Sequence, residues 1–189
     1  MSRAPNIKGG ASVVTSLYDL SVPTFLQTVR AVGSFLDRAV VHCAQTGAKA
    51  GDLVEARLFP DMAPFWFQIE CVDNYSAWGL EAMRTGNWTP PPLAGQVPFA
   101  ALQARIAGTE AALKAFDPDE VNRWSGKHLE ILVTHVSPQP LALTSETFLL
   151  SVLLPNFHFH AVTAYDLLRM HGVPLGKRDY EGQIRTRST

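Results

Sequence analysis

Apolar residues recur three or four apart in Phe25, Val29, Val32, Phe35, Leu36, Ala39 and Val40, which predicts a long first helix entered at Ser21-Val22-Pro23 and stopped at Gly47. Proline is tolerated in a first turn, where its missing N–H has no partner to lose. A short helical turn over residues 50–57 follows, and a second helix is expected over residues 60–84. Its apolar residues Phe65, Trp66, Ile69, Val72 and Trp78 almost encircle it, the mark of a central helix. Gln68 and Asp73 are then polar groups that need partners inside the fold or at the rim of a cleft. The Gly- and Pro-rich stretch 86–98 must be a surface loop. Beyond it, Phe99, Leu102, Ile106 and Leu113 mark a third, amphipathic helix over residues 98–116, with Arg105 and Lys114 outward. Leu129, Ile131 and Val133 alternate up to SPQP, and residues 141–143 resume the pattern, as in a small β-hairpin. A last long helix runs over residues 145–172, capped in the Ser-Glu-Thr stretch at 145–147 and ended by Gly172 before Pro174.

That last helix carries an unusual polar load. Residues 155–169, PNFHFHAVTAYDLLR, place Asn156, His160 and Thr163 on one face and His158, Tyr165 and Asp166 on another, so the two histidines form no ready chelate. Pro155 removes one backbone hydrogen bond about ten residues into the helix and leaves the carbonyl of Ser151 without its usual donor, so a bend is expected. Polar groups gathered at a bend read as the wall of a site.

Composition narrows the possibilities. The 189 residues suit one domain, 47% of them are hydrophobic, and 16 Lys and Arg stand against 17 Asp and Glu. Positive charge is not clustered beyond the short tail at 177–189, so neither nucleic acid nor an anionic membrane is an expected partner. Residues 1–16 read as a flexible leading segment without the apolar stretch of a signal peptide, and the run 148–154 is too short to span a bilayer. Cys43 and Cys71 sit in apolar helical surroundings, as reduced, buried thiols in a cytoplasmic protein would. No phosphate-binding glycine loop or nucleophile elbow is present.

Three stretches are familiar together: EARLFPDMAPFWFQIECVDN at 55–74, PNFHFHAVTAYDLLR at 155–169 and HGVPLGKRDYEG at 171–182. They resemble an uncharacterised family, known only as a domain of unknown function, within the DinB-like superfamily of metalloenzyme-type bundles. The resemblance covers about residues 17–182 and implies an all-α fold, a DinB-like four-helix bundle, here with a small β-hairpin inserted before the last helix. It also implies a three-histidine metal site, with one ligand from the second helix and an H-x-x-x-H pair from the fourth. In this chain the position four after His160 is Ala164, and the second helix offers Gln68 instead of histidine. One imidazole and one amide do not make a zinc or nickel site, so no metal or other cofactor is expected.

Acid–base chemistry remains. An imidazole titrates near neutrality, so His160 is the candidate acid or base, oriented by Tyr165 or Asp61. His158, Asn156, Gln68, Arg57, Phe65 and Asp73 are the candidate ligand-contacting residues, with Phe157 and Phe159 as further aromatic walls. Each has a plainer reading. Arg57 can pair with Asp61 across a helix start, Asp73 can pair with Arg169, and His158 can be packed and hydrogen-bonded. His42, His128, His135 and His171 lie near element ends, and Trp66, Trp78, Trp88 and Trp124 read as core or loop anchors. The leading expectation is a small-molecule-binding bundle doing metal-independent isomerisation, cyclisation or elimination on an apolar organic substrate. The alternatives are a non-catalytic binding or homodimeric interaction module, and the metal-dependent transferase or hydrolase that the resemblance implies.

Overall fold

The computed structural model describes residues 15–88, 92–134 and 136–186. His135 and most of the leading segment lie outside the described residues.

Helix α1 spans Leu17–Thr46, four residues earlier than the periodicity predicts. Ser16 is the cap: its hydroxyl accepts from the Asp19 N–H at 3.1 Å while the Asp19 carboxylate reaches back to the Ser16 N–H at 3.4 Å. Pro23 therefore lies inside the helix and frees the carbonyl of Asp19. That carbonyl is taken by Thr24 Oγ1 at 3.5 Å and by Arg185 Nη1 at 3.1 Å, so a residue near the end of the chain repairs a defect near its start. Gly47, at φ 75°, closes the helix. After the short α2 (Ala50–Leu53), the predicted second helix appears as two, α3 (Phe65–Asn74) and α4 (Ala77–Thr85). Residues 59–62 form a turn instead of its first turn. The break falls at Ser76, which is fully buried and departs from helical geometry at φ −112°, ψ −86°. Its hydroxyl donates to the Val72 carbonyl at 2.6 Å in place of a backbone donor.

Helix α5 (Phe99–Lys114) and the short α6 (Pro118–Asn122) precede the hairpin of β1 (His128–Ile131) and β2 (Leu141–Thr144). The strands are antiparallel, with Leu129 opposite Leu143 and Ile131 opposite Leu141. Thr144, one residue before the expected capping stretch, caps α7 (Ser145–Phe148) by exchanging hydrogen bonds with Thr147. A π turn over Leu149–Leu153 then leads into α8 (Leu154–Met170), and α9 (Lys177–Glu181) closes the chain. The tail stretch is docked: Gln27 Nε2 donates to the Glu181 carbonyl at 2.7 Å, and Arg38 pairs with Asp179 at 3.1 Å.

Four rods make the bundle. Helix α1 packs against α5 and α8, and α3 packs against the same two from the other side, so α1 lies across the core from α3. The interior is aromatic. Phe25, Phe35, Phe65, Phe148 and Phe157 are wholly buried, and each such side chain contributes about 1.5–3 kcal/mol of transfer free energy. Phe25 meets Phe157 edge-on at 4.9 Å, tying α1 to α8. The continuous helix Ser145–Met170 is long and apolar enough to cross a bilayer, but 50% of its most apolar window is buried inside the fold, the use expected of a core helix.

Candidate functional site

The structure brings two of the predicted polar residues together in the core. Gln68 on α3 is 1% exposed and His160 on α8 is 9% exposed. Gln68 Nε2 donates to the Ala63 carbonyl at 2.9 Å, which turns Oε1 toward the imidazole. His160 Nδ1 lies 2.7 Å from that oxygen and donates to it. The ring thus carries its proton on Nδ1, and in the neutral form its lone pair is on Nε2. Three aromatic rings position the imidazole: Tyr75 stacks on it at 5.7 Å and 11°, while Phe67 and Phe159 meet it edge-on at 5.8 and 5.2 Å.

Phe67 and Tyr75 also wall a cleft of about 370 Å³. Trp88 adds a third ring, tilted over Tyr75 at 5.5 Å and held edge-on to Phe148 at 5.6 Å. Leu93, Leu132, Val133 and Val152 supply the aliphatic lining, and Cys71, Asn74 and Thr134 the polar part. Burial pushes the Cys71 thiol up to about 12, with the Glu70 carboxylate adding to the effect, and pushes the Tyr75 phenol to about 12 as well. Both groups are neutral at physiological pH, so Cys71 is no thiolate nucleophile. Asn74 is 7% exposed, and its amide oxygen has no hydrogen-bond partner among the described residues.

The remaining candidates are dispersed. Tyr165 faces Phe35 of α1 and Tyr180 of α9, with ring centroids 5.7 and 6.1 Å away. His158 Nδ1 bonds the Tyr180 hydroxyl at 3.1 Å, and burial lowers the pKa of its imidazole. Asn156 turns back on its own helix and donates to the Val152 carbonyl at 2.7 Å. Phe65 stacks on Phe99 at 6.0 Å as a core residue, and Phe157 is equally enclosed. Arg57 donates to the Met62 carbonyl at 2.5 Å, while Asp61 sits exposed in the turn, and no described ion pair joins the two. With α3 starting at Phe65, neither Asp61 nor Arg57 belongs to the helix that carries Gln68.

Asp73 pairs with Arg105 at 3.3 Å, not with Arg169, and accepts from Thr109 Oγ1 at 2.7 Å. Burial pushes its carboxyl up, against the pull of Thr109 and Arg105. Arg105, expected outward, reaches inward because Glu70 stands one turn before Asp73. Its Nη2 lies 3.1 Å from Glu70 Oε1, which also accepts from the Ala94 N–H at 2.9 Å. Asp73, Arg105 and Thr109 border a larger, open groove of about 770 Å³ between α4 and α5, whose described lining includes neither His160 nor Phe67, Gln68, Tyr75 or Phe159.

Periodicity did not single out Tyr75, Phe67 and Asn74 as site residues. The signal was present: Gln68, Cys71 and Tyr75 share one helix face by spacing, and Phe67, Cys71 and Asn74 share its flank. Trp88 is a loop anchor, as expected, and also a cleft wall.

Among the described residues the donor set does not fit the three-histidine metal site that the sequence resemblance implies. The amide of Gln68 is spent between Ala63 and His160, and among the described residues no three of His, Cys, Asp and Glu converge.

The arrangement of the rods is that of a DinB-like helical bundle. A crystal structure at 1.83 Å resolution of a DinB family member protein from Shewanella denitrificans superposes with a TM-score of 0.76 at 24% identity, covering 92% of this chain and 96% of that one. Residues 17–181 match the family model described as a domain of unknown function, DUF1993, and the chain belongs to that family. No functionally curated protein matches the sequence.

Proposed function

We propose that this protein binds a small organic molecule in the cleft between Phe67, Tyr75 and Trp88, and that His160 moves a proton to or from it. One observation carries the reading: a buried amide fixes the tautomer of an imidazole whose ring touches two of the three aromatic walls of the cleft. The glutamine is itself oriented by a backbone carbonyl, so two successive hydrogen bonds hold the tautomer. With the proton held on Nδ1, the base is Nε2, and the reactions open to it are those that need only proton transfer: isomerisation, cyclisation or elimination. Gln68 stabilises the imidazolium formed on proton uptake, since the Nδ1–H bond strengthens when the ring is charged. The reduced, buried Cys43 and Cys71 support a cytoplasmic setting.

The test compares wild type with His160→Gln, both purified from the same cells, extracted and examined by mass spectrometry for small molecules. Glutamine keeps a polar side chain but cannot accept the proton. The variant is expected to carry the unreacted molecule: an isomer of what wild type carries for isomerisation or cyclisation, or its precursor for elimination. The same molecule in the same amount on both proteins would remove the catalytic role and leave a binding module.

A further inference from the structure

We infer that Glu70 is a positioning residue for the cleft: its buried carboxylate tethers residues 92–97 to the bundle and so keeps Leu93 in the cleft wall. The inference takes the cleft of the proposed function as its site and does not depend on the chemistry of His160.

Glu70 and Asp73 share the guanidinium of Arg105, and their other contacts set them apart. Asp73 accepts from Thr109 of α5, so its bonds stay between two rods. Glu70 accepts instead from the N–H of Ala94, in the loop, at 2.9 Å. Both described donors to Glu70 converge on Oε1, and Oε2 has none. The pair with Arg105 is therefore not a two-pronged fork, and one oxygen holds the cation and the loop together.

Little else of that kind holds the loop. Trp88 and Val97 pack against the core, and between them, among the described residues, the Ala94 bond is the only hydrogen bond made by residues 92–97. Leu93 lines the cleft but is 47% exposed, and Ala94 is exposed too, so burial does not pin this stretch. A hydrogen bond to a charged acceptor is roughly twice as strong as one between neutral groups. At 1% exposure, Glu70 is also sheltered from competing water.

Cys71, the next residue on α3, lines the same cleft at 5% exposure, so its alkylation rate reports how closely the wall is kept. Full-length wild type, Glu70→Gln, Glu70→Leu and Ala94→Pro are treated with N-ethylmaleimide, and labelled peptides are timed by mass spectrometry. Cys43, buried in α1, records global unfolding in the same samples. Glutamine keeps an oxygen for the Ala94 N–H and leucine does not, while both remove the charge that helps to hold the Cys71 thiol high, so their difference isolates the tether. Proline removes the donor and leaves Glu70 with Arg105. Cys71 should label about fivefold faster in Glu70→Leu than in Glu70→Gln, the size of one neutral hydrogen bond, and about tenfold faster in Ala94→Pro than in wild type, with Cys43 unchanged. In wild type, amide exchange followed by NMR should be slower at Ala94 than at Leu93 and Gln96. Equal Cys71 rates in folded Glu70→Leu and Glu70→Gln overturn the inference. So does an Ala94 amide that exchanges as fast as its neighbours, or a Cys71 gain in Ala94→Pro that Cys43 matches. Where Glu70→Leu does not fold, Ala94→Pro and the wild-type exchange decide. A tether that passes in a protein carrying no small molecule keeps its role and removes the ligand, whereas a failed tether leaves the binding reading to the extraction test.

Discussion

Replacing Arg105 by methionine should be among the most damaging single changes in this protein, and the damage should depend on pH. The guanidinium is the only described cation within ion-pair reach of Glu70 and Asp73, whose side chains are 1% and 12% exposed, while Arg105 itself is 26% exposed. Methionine fills much of the space but removes both charge pairs and leaves two carboxylates in the interior. Breaking one side of a buried pair costs about 3–5 kcal/mol, and because water reaches part of Arg105 the lower end, about 3 kcal/mol, is expected at pH 8. Burial already holds the Asp73 carboxyl above its ordinary value. For an acid raised in the folded state, the folded protein holds more protons above that ordinary value, so its contribution is fully present at low pH and is lost as pH rises through the folded pKa. Loss of Arg105 raises that pKa further. The destabilisation should therefore be clearly smaller at pH 5 than at pH 8. Urea unfolding followed by circular dichroism at the two pH values measures it. The combined variant Glu70→Gln, Asp73→Asn, Arg105→Met should return to within about 1 kcal/mol of wild type, since uncharged replacements of a buried cluster are often neutral. A loss below about 1 kcal/mol at pH 8, or one of the same size at pH 5, would refute the assignment of this cluster as a buried, mutually compensating set.

Two further outcomes are expected. Gly79→Ala places a Cβ 2.6 Å from Leu153 Cδ2, well inside the ordinary contact distance of about 3.5–4.0 Å. The helix-propensity gain of about 1 kcal/mol is then offset by overpacking of about 1–3 kcal/mol, and thermal unfolding should show a lower midpoint, a higher one contradicting the packing described. Burial keeps the His158 imidazole below its ordinary value of 6.5. The unfolded chain thus binds more protons just below that value, and stability climbs with pH through this window and levels off above it. In His158→Asn the slope should be shallower in urea midpoints collected between about pH 5 and pH 8, and an unchanged slope would show that the ring does not contribute.

The bundle is legible because its rods obey a single period over long stretches. Phe25 to Ala39 and Phe99 to Leu113 mark buried faces that the structure keeps, and the hairpin register follows the alternation of Leu129 and Ile131 against Leu141 and Leu143. Periodicity fails where a side chain replaces a backbone partner. Ser76 breaks the second helix by taking the Val72 carbonyl, and Pro23 is carried inside α1 because Arg185, far off in sequence, attends to the carbonyl it frees. A repeat of apolar positions has no means of registering either event. The candidate site is half legible. His160 and Gln68 stand out as polar groups on apolar faces, but helix spacing alone does not tell which face of α8 meets α3, and so Tyr165, His158 and Asn156 are expected beside His160 although they turn elsewhere. Asp61 and Arg57 fall away because the helix they were expected to open begins only at Phe65.

The π turn over Leu149–Leu153 accommodates what amounts to one surplus residue in the last rod, marked by the Leu154 N–H reaching back to the Leu149 carbonyl. Its effect is rotational. Each residue advances an α-helix by about 100°, so the surplus turns everything before it by that amount relative to everything after. Phe148 can thereby back Trp88 and Val152 line the cleft while His160 faces Gln68. Trimming a single leucine from this stretch would straighten the ladder into ordinary α-helix and swing the two halves of the rod out of phase, so that one sequence could no longer serve both the cleft wall and the buried imidazole. A length change that would pass unnoticed in a loop is thus, at this one place, a change of site.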